Sequence, residues 1–450
     1  MTDWRATGPP QRREAHFGDR VVPCFAERPG SVHALLTDAA ARRPDGEALI
    51  CGDTRLTWAE VLERSAAVAQ GLARLGVGAG DRVALLLGNR IEFVLAWFGA
   101  EEDTAAILYT SGTTGRPKGA MLTHLGIVHS AMVFECCMGL TADDRSVAAV
   151  PLSHVTGLIA NVAAMARCAG ALVILPAFRA PEFLAVAERE RMSHTLIVPA
   201  MYNLCLLQPE FAARDLSAWR IGGYGGAPMP TATIARLAET LPGLKLMNAY
   251  GATETTSPAV LMPTRYAAAH ADSVGKAVPC TTVAVMDDAG RELPPGEVGE
   301  IWIHGPSVVP GYWDKPEATA REIVAGFWRS GDLGSVDVDG FVRVLDRKKD
   351  MINRGGYKVY TAEVETVLAA HPGVVECAVV GTPCPVLGER VHAFVVARDD
   401  ALAADVLRAF CAERLSDYKV PESVTVLADP LPRNANGKVL KRVLREELVG

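Results

Sequence analysis

Cysteine motifs are missing from this 450-residue chain: its ten cysteines are scattered, with no C-x-x-C and no even framework. That excludes a disulfide-stapled secreted scaffold, and free thiols in a chain of this size point to a reducing compartment, so the expected location is the cytoplasm. The adjacent Cys136 and Cys137 read as packing, not redox chemistry. No H-E-x-x-H or clustered Cys/His spacing suggests zinc, and the ten histidines are dispersed. Blocks of like charge are absent, and a net charge of −7 denies nucleic acid the basic face it needs. The most apolar window, 157–178, is interrupted by Asn161, Arg167 and Gly170, so it reads as a buried helix followed by the strand ALVILP, not as a membrane span. The N-terminal MTDWRATGPPQRREAHFGDR lacks an apolar core and carries acids, so no secretory signal is expected.

What is present is a globular composition, 49% apolar and 22% charged, in a chain longer than one core usually organises. Two or more domains follow. Thr57 and Glu60 form a capping-box pattern, and Val61, Leu62, Leu72 and Leu75 then predict an amphipathic helix. The run RVALLLG predicts a buried strand, and 90–100 another helix. Strand–helix alternation continues through Leu108, 157–176, LIVPA and RIGGYGG, which predicts an α/β domain with largely parallel sheets. After about residue 275 the short alternating runs EIWIHG and GFVRVLD predict antiparallel strands. DRKKD, 346–350, is the expected boundary. Beyond it lies a small α/β unit: a helix with Val364, Val367 and Leu368 on one face, strands VVECAVVG and RVHAFVVAR, a helix bearing Leu402, Val406, Phe410 and Cys411, and a basic C-terminal helix.

The densest chemistry is ILYTSGTTGRPKGAMLTH, 107–124. Gly112, Gly115 and Gly119 let the backbone turn its N–H groups toward an anion. Thr110, Ser111, Thr113 and Thr114 add hydroxyl donors, and Lys118 adds a point charge. The spacing is not that of a Walker A loop.

These residues resemble the phosphate loop of the adenylate-forming superfamily, which includes acyl-CoA synthetases, luciferases and peptide-synthetase adenylation domains. Further motifs follow in family order from about Thr57 onward. GGAPMP resembles the adenine-site segment, at Gly225, Gly226, Ala227 and Pro228. NAYGATETT, 248–256, resembles the motif with Asn248, Tyr250 and Gly251 beside the nucleotide, Thr253 on phosphate and Glu254 on magnesium. SGDL implies that Asp332 accepts from the ribose hydroxyls, assisted by Arg347. INRGGYKVY resembles the thiol-tunnel loop, at Gly355 and Gly356, and PRNANGK makes Lys438 the adenylation lysine. Alone, Glu254 reads as a capping acid, Asp332 as a turn residue and Lys438 as a solvated lysine. Together they imply a large N-terminal nucleotide-binding domain, 1–348, and a mobile C-terminal domain, 349–450. The expected substrates and cofactors are ATP, magnesium, coenzyme A and a small carboxylic acid.

That chemistry explains the residue types. A carboxylate is already ionised near neutral pH, so it needs no general base to attack the α-phosphate of ATP. It does need positive charge to offset anion–anion repulsion, which magnesium and lysine supply. The acyl-adenylate is then attacked by a thiol, of coenzyme A or, in the alternative, of a carrier protein. PLSHVTGL resembles the acyl-pocket segment, at His154, Val155, Leu158 and Ile159. Adenylation domains for amino acids carry an Asp in the following region, and VTGLIANVAAMA offers no acid. The expected substrate is therefore an apolar fatty, medium-chain or aryl acid. His154 has two open readings, a gate on the pocket or a packing residue.

One departure from the family stands out: Ala100 is followed at once by EEDTAAILYTSG, whereas relatives place several dozen residues there. A segment missing near 100–103 is expected to remove sheet partners and expose an edge or an apolar face. A nucleotide-binding protein without turnover is the reading this departure keeps open.

In the family, the small domain swings about the position of Lys349 between the two half-reactions. Replacing Lys349 with Pro restricts that rotation. Thioester formation is then expected to fall more than pyrophosphate release, with both half-reactions followed on one preparation. Equal loss of the two removes the hinge assignment.

Overall fold

The computed structural model describes residues 4, 8–18, 20–100, 104–110, 117–398, 402–433 and 439–448. The chain divides into two compact units. The first comprises Met1–Ala284, Trp302–Ser330 and Val336–Val342; the second takes Val285–Ile301, Gly331–Ser335 and Arg343–Gly450. The second unit thus gathers two short β segments as well as the C-terminal stretch, and its edge lies a few residues ahead of the 348/349 break expected from sequence.

The first unit is built on a mixed sheet. Arg145–Ala148, Ala171–Ile174, His194–Ile197, Ile221–Gly225 and Lys245–Tyr250 are joined by parallel pairings. Glu47–Cys51 adds a further parallel strand beside Ala171–Ile174 and turns back through Thr54–Thr57. Val260–Leu261 and Gly275–Ala277 extend the other side in antiparallel fashion. Parallel strands joined by helical crossovers are covered on both faces, so alternate residues must serve two cores. Leu49, Leu172 and Ile174 enter one cluster with helices Val32–Arg42, Ile91–Gly99 and His124–Met138. Ile50, Val147 and Val173 enter the other, with helices Ala180–Arg189 and Pro199–Leu206.

The capping box at Thr57 forms: its hydroxyl accepts from Glu60 N at 3.3 Å, and its own N–H donates to the Glu60 carboxylate at 2.8 Å. The helix it starts, Trp58–Arg74, buries Trp58, Val61 and Ser65. Leu75, expected on its apolar face, is the C-cap and is 81% exposed. The window 157–178 contains the expected buried helix and strand, with Thr156–Ala163 wound as a π-helix before Ala164–Cys168.

The expected buried strand RVALLLG does not form. Residues 81–88 have no regular structure, and Leu86 is 96% exposed. Its period-2 pattern survives, since Leu85 and Leu87 pack on the core while Leu86 points out. A strand exists only where a neighbouring ladder takes its N–H and C=O groups. The next strand along the chain, Thr104–Thr110, pairs antiparallel with Lys118–Thr123 instead.

The second unit has a sheet ordered Tyr357–Val359, Ile352–Arg354, Gly388–Ala397 and Val374–Cys384, with Ser423–Leu427 parallel to Gly388–Ala397. Helices Thr361–Ala369 and Ala404–Ala412 bring Val364, Leu368, Leu407 and Cys411 into one core. Lys441–Glu447 brings Leu444 into a second, with Phe394. Leu402 lies before its expected helix and Val406 is half exposed, because Leu407 and Cys411 define the inward face.

Because Leu86 makes no buried contact, Leu86→Lys is expected to leave the melting temperature nearly unchanged, within the ±0.5 kcal/mol usual for surface changes. Ile50→Ala, on a strand that does form, is expected to cost about 2–5 kcal/mol. Chemical denaturation of both variants checks the contrast. A large loss for Leu86→Lys means that 81–88 is a buried strand after all.

Candidate functional site

Ligands in open α/β sheets gather at the carboxyl ends of the parallel strands. Ile221–Gly225 and Lys245–Tyr250 end side by side, with Gly225 in register with Ala249. A Cβ at Gly225 would lie 2.4 Å from the Ala249 carbonyl oxygen, so only glycine permits this approach. Gly226, Ala227 and Pro228 follow on an exposed bend, with Gly226 at φ +78°. Asn248 and Tyr250 are half-buried on the second strand, and Gly251 is exposed just after it.

The chain then makes a single 3₁₀ turn, Thr253–Thr255, fastened by Ala252 N donating to the Thr255 hydroxyl at 2.9 Å. Thr256 and Ser257 follow at φ 51° and 56°. Two consecutive non-glycine residues in the left-handed region cost on the order of 1–3 kcal/mol each. Thr256 is held there by its hydroxyl, which donates to Ser307 O at 2.7 Å. The bend returns the chain into Val260–Leu261, antiparallel to the strand it left.

This turn buries Glu254, which is 7% exposed. Burial pushes its carboxyl pKa above the ordinary value, against the lowering effects of a backbone bond, the Tyr312 hydroxyl and the Lys118 charge. Tyr312 OH lies 2.9 Å from Glu254 Oε1 and 2.7 Å from Glu322 Oε2. Lys118 Nζ sits 2.5 Å from the same Glu322 oxygen and 4.3 Å from the centre of the Tyr312 ring. Burial pushes Glu322 up, but Lys118, Tyr312 and Arg321 outweigh it and hold the carboxyl below its usual range. Lys118 was expected to face phosphate as a point charge; its ammonium is here buried against Glu322 and Tyr312. Thr110 is half-buried on the partner strand, 3.4 Å from Lys118 O.

The donors fit a magnesium ion. Magnesium takes hard oxygen ligands, one or two of them carboxylates, with substrate phosphate completing the set. Glu254 supplies a buried carboxylate, and Thr253, 8% exposed on the same turn, adds a hydroxyl suited to the phosphate beside it.

In the second unit, Asp332 is buried and its Oδ1 takes the Arg347 Nε at 2.7 Å, so the pair expected at the ribose is formed. Lys349 is exposed in the turn after strand Phe341–Arg347, where Lys348 N donates to Gly331 O at 2.8 Å. Gly355 and Gly356, at φ +60° and +92°, form the two-residue turn between Ile352–Arg354 and Tyr357–Val359. Both central residues need positive φ in this tight turn, which explains the pair of glycines.

On the first unit, Val155 caps the π-helix and Leu158 and Ile159 lie within it, all three buried in the main core; π-helical turns are frequent at functional sites. His154 is half-buried, its Nδ1 accepts from Thr156 N at 3.2 Å, and burial lowers its pKa, so the ring is neutral near pH 7. Ser111, Gly112, Thr113, Thr114, Gly115 and Lys438 lie outside the described residues.

Sequence reasoning missed Tyr312 and Glu322. Nothing in their spacing links them to positions 118 and 254; only the fold brings the four together. It also missed a buried row in which Ser146 Oγ meets Asn161 Oδ1 at 2.9 Å and His194 Nδ1 at 3.0 Å. Glu14, His16 and Cys24 place donor atoms within 4.8 Å of one another. The Glu14 carboxylate is already taken by Arg28, at 2.6 Å, and Arg12, at 2.7 Å, so this is an ion-pair cluster. No helix among the described residues is long and apolar enough to cross a membrane.

Comparison with known proteins identifies the family. The AMP-binding enzyme family matches in two stretches, 36–101 and 100–313, and the AMP-binding enzyme C-terminal domain matches 363–438. A feruloyl-CoA synthase of Amycolatopsis sp is 34% identical over 477 aligned residues, covering 90% of this chain and 96% of that protein. A long-chain-fatty-acid–CoA ligase of Yersinia pestis is 38% identical, covering 82% of this chain and 66% of that protein. An o-succinylbenzoate CoA synthetase of Bacillus subtilis, solved with its acyl-adenylate intermediate, superposes with a TM-score of 0.84 at 30% identity, over 92% of this chain and 98% of that one. The same enzyme solved with ATP and magnesium ion gives a TM-score of 0.84. The chain thus belongs to the AMP-binding enzyme family, in the acyl-CoA ligase branch that joins a small carboxylic acid to coenzyme A at the expense of ATP.

Proposed function

We propose that this chain activates an apolar carboxylic acid, fatty or aryl, and delivers the acyl group to the thiol of coenzyme A. The observation that carries the reading is the buried carboxylate of Glu254 on a strained turn at the carboxyl end of a parallel strand. A buried carboxylate without full compensation is costly, and sites that retain one use it for a cation or for chemistry.

In the first half-reaction, a carboxylate oxygen of the acid attacks the α-phosphorus of ATP. The new O–P bond forms as the bond to pyrophosphate breaks, and pyrophosphate leaves with the electron pair. Thr253 is assigned to a phosphate oxygen and Glu254 to magnesium, whose charge offsets the repulsion between the two anions. Gly225, Gly226, Ala227, Pro228, Asn248, Tyr250 and Gly251 are assigned to the adenine side, and Asp332 with Arg347 to the ribose. Ser111–Gly115 and Lys438 retain their family roles as proposals: a phosphate cradle and the lysine that bridges carboxylate and α-phosphate. In the second half-reaction, the thiolate attacks the acyl carbon, a C–S bond forms, and AMP leaves. Lys349 is assigned to the pivot between the halves, and Gly355 with Gly356 to the thiol tunnel.

The apolar character of the acid rests on Val155, Leu158 and Ile159, which bring no charge to the segment assigned to the acyl pocket. His154, neutral near pH 7, brings none either. The relatives' names point the same way, to feruloyl and long-chain fatty acyl groups. A carrier-protein thiol in place of coenzyme A is the second reading, since the same adenylate serves either acceptor.

The test is pyrophosphate release with a panel of hydroxycinnamic, benzoic, medium-chain and long-chain acids and an α-amino acid, with and without coenzyme A. Turnover on the apolar acids is expected, with acyl-CoA formed when the thiol is present. Lys438→Ala is expected to lower adenylation by about a hundredfold or more, the scale seen when one transition-state charge partner is removed. ATP binding without pyrophosphate release on any acid makes the chain a nucleotide-binding protein. Turnover indifferent to Lys438→Ala removes the catalytic assignment.

A further inference from the structure

Tyr312 ties together three other side chains of the first unit, Glu254, Glu322 and Lys118. Its hydroxyl spans Glu254 Oε1 and Glu322 Oε2, at 2.9 and 2.7 Å, and Lys118 closes the far end on Glu322 while lying over the Tyr312 ring. The ring itself is 3% exposed. Its backbone leaves it little freedom. Tyr312 N donates to the Thr319 hydroxyl at 2.9 Å, and Tyr312 forms a bridge with Ala120. On either side of that bridge, Met121 N donates to Gly311 O at 3.1 Å and Trp313 N to Gly119 O at 2.7 Å. Glu254 is tied into the same ribbon, since Val309 N donates to its carbonyl at 2.9 Å.

A core needing only volume here would be served by phenylalanine. Burying a hydroxyl and two carboxylates costs desolvation, and packing alone does not return it. What the polar chain adds is orientation: it fixes one oxygen of Glu254 and pairs the lysine charge with Glu322. Groups that hold a metal-binding carboxylate by a hydrogen bond commonly set its affinity for the ion.

We propose that Tyr312 and Glu322 are positioning residues of the nucleotide site: the chain Lys118–Glu322–Tyr312 orients the Glu254 carboxylate toward the magnesium ion of Mg·ATP, and Lys118 is the fixed counter-charge of that chain. The proposal rests on the assignment of Glu254 to magnesium. Removing the Tyr312 hydroxyl then weakens binding that depends on the metal and spares binding that does not. A hydroxyl needed only for folding weakens both alike.

The experiment measures ATP affinity of the full chain by titration calorimetry, once with excess magnesium and once with EDTA, for the wild type, Tyr312→Phe and Glu322→Gln. Tyr312→Phe is expected to weaken Mg·ATP binding about tenfold or more while metal-free ATP binding stays within about twofold. Glu322→Gln keeps a group to bond the hydroxyl but loses the lysine pair, and is expected to fall between. In turnover, the same variants are expected to raise the magnesium concentration for half-maximal rate more than they lower kcat. Equal weakening with and without metal overturns the proposal, as does no change in either. A wild-type affinity indifferent to magnesium also overturns it. Thermal melting identifies a misfolded Tyr312→Phe, in which case Glu322→Gln decides by the same criterion. If the wild type binds Mg·ATP with this pattern but releases pyrophosphate with no acid, the ligase reading fails and the positioning role stands.

Discussion

A parallel sheet has no face to spare for water, and the architecture of the first unit follows from that constraint. Leu172 and Ile174 turn to one core while Val173 between them turns to the other, and Leu49 and Ile50 divide in the same way. With both faces covered, the strand ends are where the chain opens toward a ligand. At one such end the chain must leave Lys245–Tyr250, reverse, and return as Val260–Leu261. It does so through a 3₁₀ turn and two left-handed residues, and this forced reversal carries Thr253 and Glu254 inward. The strain at Thr256 and Ser257 and the burial of Glu254 are two consequences of one short turn.

The charge arrangement around that turn is uneven among the described residues. Glu254 and Glu322 are both within hydrogen-bond distance of one hydroxyl, and the cations Lys118 and Arg321 both pair with Glu322. A tyrosine hydroxyl has one proton to donate, so it can satisfy one carboxylate as donor and not two. Glu322 is compensated by the lysine and Arg321, whereas Glu254 is compensated by a backbone bond and by the tyrosine hydroxyl. On the proposed assignment of Glu254 to magnesium, the cation would add its positive charge on the side of the turn away from Lys118. The two carboxyls differ accordingly: burial pushes Glu254 up, whereas Lys118, Tyr312 and Arg321 outweigh burial at Glu322 and hold it down.

Local rules were legible in the sequence wherever a few adjacent residues decide the outcome. The Thr57–Glu60 capping box forms, and the Gly355–Gly356 pair takes the positive φ angles that its tight turn demands. The buried helix and strand in 157–178 were readable because interrupting polar groups distinguish them from a membrane span, and Asn161 indeed finds a partner in Ser146. Partnership across the chain was not readable. RVALLLG has the composition of a strand, yet a strand needs a ladder, and none reaches it. Leu75 has the right spacing but stands past the last helical turn, and Val406 gives way to Leu407 because the helix starts later than its apolar spacing suggested. Tyr312 and Glu322 were invisible for the same reason: their significance lies in contacts with positions 118 and 254, which no local pattern encodes.

The short passage from Ala100 to Thr104 sets the stretch with no ladder close in sequence to the site. Asn89 anchors that stretch, donating to Val150 O and Leu175 O and accepting from Leu152 N at the ends of two parallel strands. Before it, Leu86 stands in water, and an exposed leucine forfeits about 1.5–3 kcal/mol relative to burial. The site could be affected through the hairpin that follows, because Lys118–Thr123 pairs with Thr104–Thr110 directly after the short passage. A strand has two edges, however, and the second edge of Lys118–Thr123 is taken by the ribbon around Tyr312. Lys118 is therefore held from the side that also holds Glu254 and Glu322, and the charged chain draws its support from within the first unit's downstream segments. One edge of Lys118–Thr123 thus faces the strand directly after the short passage, and the other faces the ribbon whose Tyr312 reaches Glu254 and Glu322.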